Sequence, residues 1–130
     1  MGFGSKKIIS ILNKIKPPYN INSLTQEKAL EALAYLEEKN EAVDMILDEK
    51  IKLIENLKLL EAVKHIYRSD TNFILVKINN ATNIYNQLVK RSIIVRNRSN
   101  VSLCENCLRI TVGNPIENKK LFDAIKEITR

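Results

Sequence analysis

The spacing of apolar residues changes once along this chain, and that change constrains the fold more than any other feature. Up to Leu60 they recur every three or four positions, as on one side of a helix; from Phe73 onward β-branched runs and strict alternation take over. A chain that is helical first and strand-forming later must lay its helices over its own sheet, so the expected class is α+β. The expected sheet is antiparallel, of three or four short strands between Phe73 and Val112, covered on one face by helices.

Ile8, Ile9, Ile11, Leu12 and Ile15 define a first helix over Ser5 to Ile15, ended by Pro17-Pro18, which lack amide donors and force the preceding residue extended. Residues 17–22 are then a rigid connector. Ser23-Leu24-Thr25-Gln26 has the form of a capping box opening the next helix. Leu30, Leu33 and Ala34 extend its stripe, and Val43, Ile46, Leu47, Ile51, Ile54, Leu57 and Leu60 continue the spacing. Ser23 to Leu60 is therefore one long helix, or two separated near Lys39-Asn40; a coiled coil is the less favoured alternative, because the strands that follow need a helical cover.

Phe73 to Ile78 reads as a strand, Ala81 to Arg91 as a helix carrying Ile84, Tyr85, Leu88 and Val89, and Ile93 to Arg98 as a further strand. Over Cys107 to Val112, Leu108, Ile110 and Val112 share one face while Cys107, Arg109 and Thr111 share the other, the pattern of a half-covered sheet. Asn114 and Pro115 mark the N-cap and first position of a last helix with Leu121, Phe122, Ile125 and Ile128 on its buried side. With 130 residues and only 3 Gly and 3 Pro, the chain suits a single domain of long elements: helix 1–16, connector 17–22 and α+β core 23–130.

Several function classes drop out at this level. The apolar runs Phe73–Val76 and Ile93–Val95 are far shorter than the roughly 20 residues a membrane-spanning helix needs. The N-terminus has neither a signal-peptide pattern nor, with Lys at position 6, a myristoylation site, so a cytoplasmic location without membrane contact is expected. The net charge is +6, but Lys and Arg are interleaved with 15 acids and aromatics make up only 5%, which leaves few stacking platforms for a nucleic acid. The one acid-free basic stretch holds Lys90, Arg91, Arg96 and Arg98 and is as suited to a small anion as to a polymer. Cys104-Glu105-Asn106-Cys107 has CxxC spacing, yet the sole histidine, His65, lies far upstream and Cys107 begins a strand, so no zinc or redox role is assigned to the pair.

Four segments, taken together and in this order, carry a family resemblance: Lys16-Pro17-Pro18-Tyr19-Asn20-Ile21-Asn22, Asn72-Phe73-Ile74-Leu75-Val76-Lys77, Arg91-Ser92-Ile93-Ile94-Val95-Arg96-Asn97 and Cys107-Leu108-Arg109-Ile110-Thr111-Val112-Gly113. The chain resembles the C-terminal, small domain of the histidinol-phosphate aminotransferases, within the class I/II pyridoxal-phosphate enzymes. The resemblance implies amino-group transfer between histidinol phosphate and 2-oxoglutarate or glutamate, in a homodimeric enzyme of histidine biosynthesis. It also implies that the Schiff-base lysine and the aspartate facing the cofactor's ring nitrogen lie upstream of the matched region. Lys6 does not fit as that lysine, since Lys7-Ile8-Ile9 enters a helix directly, so the chain alone is expected to hold no pyridoxal phosphate and to be inactive.

Residue by residue, Arg109 matches the family's carboxylate-gripping arginine, for which the fork of a guanidinium suits a two-oxygen acceptor. Arg96, thirteen positions earlier, matches a second arginine associated with the substrate's phosphate end. Arg98 is expected to be an ordinary solvated side chain. The competing reading is a freestanding basic module in which Lys90, Arg96 and Arg98 contact an acidic or nucleic-acid partner.

Overall fold

The computed structural model describes residues 4–16 and 21–130, which fall into two compact units, Met1–Lys39 and Asn40–Arg130. Of the connector, Pro17 to Asn20 lie outside the described residues.

In the first unit, α1 (Lys6–Ile15) starts where the Ser5 hydroxyl accepts the Ile8 amide, and ends at Lys16, whose ψ of 139° is the extended conformation a following proline demands. Ile8, Ile11, Leu12 and Ile15 line one side of it, each about half exposed or more. α2 (Ser23–Leu33) is capped one residue earlier than the sequence pattern indicates. The Asn22 carboxamide, not the Ser23 hydroxyl, accepts the Thr25 amide at 2.8 Å, and Gln26 donates to the Ile21 carbonyl. Asn is as good a cap as Ser, and the residue with extended backbone takes the role.

The helical stretch does divide, but at Ala34-Tyr35 and not at Lys39-Asn40. Ala34 and Tyr35 donate to Glu31 and Ala32, the tighter i to i−3 closure that ends a helix, and α3 (Leu36–Lys58) restarts with Glu37 and Glu38 in its first turn, where the helix dipole favours acids. Lys39 and Asn40 lie inside α3.

The second unit holds a four-stranded antiparallel sheet in the order β1-β2-β4-β3, as the α+β expectation required. Its strands are β1 (Val63–Ile66), β2 (Phe73–Ile78), β3 (Arg96–Asn97) and β4 (Cys107–Thr111). Two strand bounds differ from expectation. β1 precedes Phe73 and was not anticipated, because four residues with His65 at their centre carry too little alternation to register as a strand. β3 is two residues long, not six, since Ile94 turns outward and is 76% exposed instead of joining the ladder.

One face of the sheet is packed. Ile74, Val76 and Ile78 of β2 and Leu108 and Ile110 of β4 meet Leu53 and Leu57 of α3 and Leu60 just beyond it, together with residues of α4 (Ala81–Lys90) and α5 (Pro115–Ile128). Each such Leu or Ile contributes about 1.5–3 kcal/mol by leaving water. Of the α3 stripe read from the sequence, Leu57 and Leu60 are core, whereas Val43, Leu47 and Ile51 are exposed. α5 opens as expected with Asn114 as N-cap, Pro115 behind it and a full capping box closed by Glu117.

Candidate functional site

The other face of the sheet is set by strand parity. Opposite residues of an antiparallel pair project to the same side, so Leu75 on Arg109, Lys77 on Cys107 and Arg96 on Arg109 place these five residues on the face opposite Ile74, Val76, Leu108 and Ile110. Arg96 and Arg109 are thus direct cross-strand neighbours, with Cβ atoms of such pairs typically about 4.5–5.5 Å apart. Like charges in that position repel. Among the described residues neither has a carboxylate within ion-pair reach, although Arg91 reaches Glu127 at 2.5 Å and Arg68 reaches Asp70 at 3.8 Å. Two guanidinium groups side by side on one face are the candidate anion site of this chain.

The two arginines are held differently. Arg109 is half-buried, and its guanidinium carbon stands 5.0 Å from the centre of the Phe73 ring, within cation–π range. Its Nε is buried without a hydrogen-bond partner, which leaves the two terminal nitrogens to meet a ligand end-on. Arg96 is exposed and free to adjust.

Two turns at the end of the sheet where β2 begins and β4 ends are tied to α3 by adjacent residues. Lys50, 8% exposed, donates from Nζ to the carbonyls of Ser69 and Thr71 at 3.0 Å each. Glu49, 5% exposed, accepts from Asn118 at 3.0 Å and from Lys52 at 2.9 Å. The Asn118 bond and then Lys52 hold the Glu49 carboxyl below its ordinary pKa, while Glu49 raises that of Lys52. Asn118 in turn accepts from the Gly113 amide and donates to the Gly113 carbonyl, both at 2.9 Å. A Cβ at position 113 would meet Glu117 Cβ at 2.9 Å and Oε2 at 2.6 Å, so a larger residue there would displace the side chain that closes the capping box. None of Phe73, Glu49, Lys50 and Asn118 was assigned a role from the sequence. The available signal was two charged residues at core spacing on α3, between Ile46 and Leu53.

The acid-free stretch from Lys90 to Arg98 does not form a patch. Arg91 is paired with Glu127, Lys90 ends a helix on the core side of the sheet, and Arg96 stands on the opposite face. Cys104 and Cys107 close a turn through a 3.0 Å bond from the Cys107 amide to the Cys104 carbonyl, and both are free thiols. Cys107 is fully buried, and that burial pushes its thiol pKa up, away from the reactive thiolate.

Residues 1–125 match the family model for aminotransferases of class I and II, so the chain belongs to that family. More particularly, it is 50% identical over 126 residues to the histidinol-phosphate aminotransferase of Flavobacterium psychrophilum and 51% identical over 124 residues to that of Cytophaga hutchinsonii. The matches cover 97% and 95% of this chain but 36% of each relative, so the chain spans about a third of their length. Its fold superposes with a TM-score of 0.85 on the histidinol-phosphate aminotransferase of Clostridium acetobutylicum, at 24% identity over 95% of this chain and 38% of that one. A decarboxylase from Sulfurospirillum multivorans is similar too, with a TM-score of 0.81 and 25% identity over 97% of this chain and 37% of that one. The fold alone therefore does not select the reaction.

The family depends on pyridoxal phosphate. This chain's described residues do not fit as its holder. The buried lysine, Lys50, has its ammonium engaged by two carbonyls, and Lys6 lies exposed on α1 beside a shallow depression lined by Gly4, Ile9, Ser10, Asn13 and Lys14, which offers no carboxylate for a ring nitrogen.

Proposed function

We propose that this chain is the substrate-gripping small domain of a cytoplasmic histidinol-phosphate aminotransferase, with the cofactor held by another part of the polypeptide. The observation that carries the reading is the cross-strand pairing of Arg96 and Arg109 on the open face, with no carboxylate within ion-pair reach among the described residues. That the relatives are histidinol-phosphate aminotransferases supports it and lends nothing to a freestanding basic module.

The chemistry of the two substrates explains why two arginines share one locus. Histidinol phosphate bears a phosphate where glutamate and 2-oxoglutarate bear the α-carboxylate, so one site has to accept both anions in turn. Arg109, braced and presenting two terminal nitrogens, matches the two oxygens of a carboxylate. Arg96, exposed on the short edge strand, adds the second positive charge that a dianionic phosphate calls for. Both grips fix the substrate's orientation and leave proton and amino-group chemistry to the cofactor domain.

Half-reactions of the full-length enzyme, run with each substrate separately, test this. Arg109→Ala should lose about 2–5 kcal/mol in kcat/KM for 2-oxoglutarate, the scale for removing one partner of a desolvated charge pair. Arg96→Ala should impair histidinol phosphate more than 2-oxoglutarate. Equal losses for both substrates in Arg96→Ala would remove the phosphate assignment, and near wild-type rates in Arg109→Ala would remove the carboxylate one.

A further inference from the structure

From the stacking of Arg109 on Phe73 we infer that Phe73 is a positioning residue for the anion grip, itself fixed in place by the Lys50-tied turn. The inference rests on the reading of Arg109 as the carboxylate ligand and goes beyond it. An arginine side chain on a sheet surface has four rotatable bonds, and a two-point grip is useful only if its plane is set before the ligand arrives. Among the described residues no carboxylate pairs with Arg109 to set that plane. What it has is the face of Phe73, 5.0 Å from the guanidinium carbon. The ring is attractive through its quadrupole and uses none of the terminal N–H donors, so the plane is oriented while the two nitrogens stay available. An acidic partner would orient it as well, but would occupy the site.

Phe73 is fixed from behind. It is the first residue of β2, opposite Thr111 in register and two positions before Leu75, the residue opposite Arg109. Its carbonyl accepts the Ser69 hydroxyl and, at 3.3 Å, that of Thr71. Lys50 clamps the carbonyls of these same two residues from α3. A buried ammonium that meets two backbone carbonyls and no carboxylate is costly to place, so it holds that turn against alternatives that would leave it unsatisfied. The sequence from Lys50 through Ser69 and Thr71 to Phe73 and Arg109 is a continuous set of contacts ending at the ligand face.

The test uses the full-length holoenzyme and 2-oxoglutarate as probe. Replacing Phe73 with mono-, di- and trifluorinated phenylalanine drains charge from the ring face at nearly constant volume, so a purely packing role is unaffected. The expected result is a stepwise fall in kcat/KM for the 2-oxoglutarate half-reaction, reaching roughly three- to thirtyfold, with Phe73→Leu at the bottom of the series and Phe73→Tyr within about twofold of wild type. A flat fluorination series, with Arg109→Ala still strongly impaired, overturns the positioning role and leaves the grip intact. Near wild-type rates in Arg109→Ala overturn the grip, and the inference with it.

Discussion

Replacing Asn118 with alanine removes three hydrogen bonds at once, and the cost follows from what is left behind. Asn118 is 7% exposed; its side chain satisfies both the amide and the carbonyl of Gly113 and supplies one of the two bonds to the buried Glu49 carboxylate. A net buried hydrogen bond is worth about 0.5–1.5 kcal/mol, and an orphaned buried group costs about 1–3 kcal/mol. Gly113 loses both of its side-chain partners together, so about 2–4 kcal/mol is expected, with water recovering part of the rest. Native-state hydrogen exchange in the intact enzyme reads this directly at the β2–β4 ladder, whose last rung is the Val112 amide on the Asn72 carbonyl at 2.9 Å. Those amides should exchange roughly 30- to 800-fold faster in Asn118→Ala, at tenfold per 1.4 kcal/mol. Acceleration within about fivefold would show that the clamp does not brace the sheet.

Two further outcomes are expected. The Glu49 carboxyl titrates below its ordinary 4.5 in the folded chain, so its stabilisation is complete above that value and lost as pH falls through the lower folded one; Glu49→Gln should be less stable at neutral pH and show a flatter acid limb in urea titrations. An unchanged acid limb would contradict the role given to that carboxylate. Leu103 has φ 64° and is 87% exposed, so a bulky side chain is held in the left-handed region with nothing packed on it; Leu103→Gly should raise stability by about 0.5–1 kcal/mol and Leu103→Val lower it, as read by urea midpoints. The reverse order would refute the strain at that turn.

Much of this architecture could be read from the chain because the relevant signals are local. The change of apolar spacing marked where helices end and strands begin, and the alternation over Cys107 to Val112 put Arg109 on the open face before any coordinates. Asn114-Pro115 located α5 to the residue. What escaped depends on partners distant in sequence. Within its own segment parity puts Arg96 with Ile94 and Arg98, and only the register opposite Arg109 shows which face it lies on. β1 is a strand because β2 supplies its ladder, through a register irregularity between Val63 and His65, and its own four residues would not announce it. Glu49 and Lys50 look like any solvated pair until the turns they hold are seen.

Those two clamps bear on the order in which the molecule comes apart. Glu49 reaches Asn118 across 69 positions, and Lys50 reaches Ser69 and Thr71 across 19 and 21, so the end of the sheet where β2 begins and β4 ends is closed by contacts between segments apart along the chain. Closing such loops costs entropy that short-range hairpins do not pay, and contacts of this kind are completed late. Heating should therefore release Glu49 from Asn118, the most remote of these contacts, while the β1–β2 hairpin and the shorter Lys50 loop still hold, letting the turn at Gly113 slacken first. If Arg109 grips an anion as proposed, affinity for it would fade in inactivation kinetics while most of the circular dichroism signal persists, and the grip would be lost well before the fold.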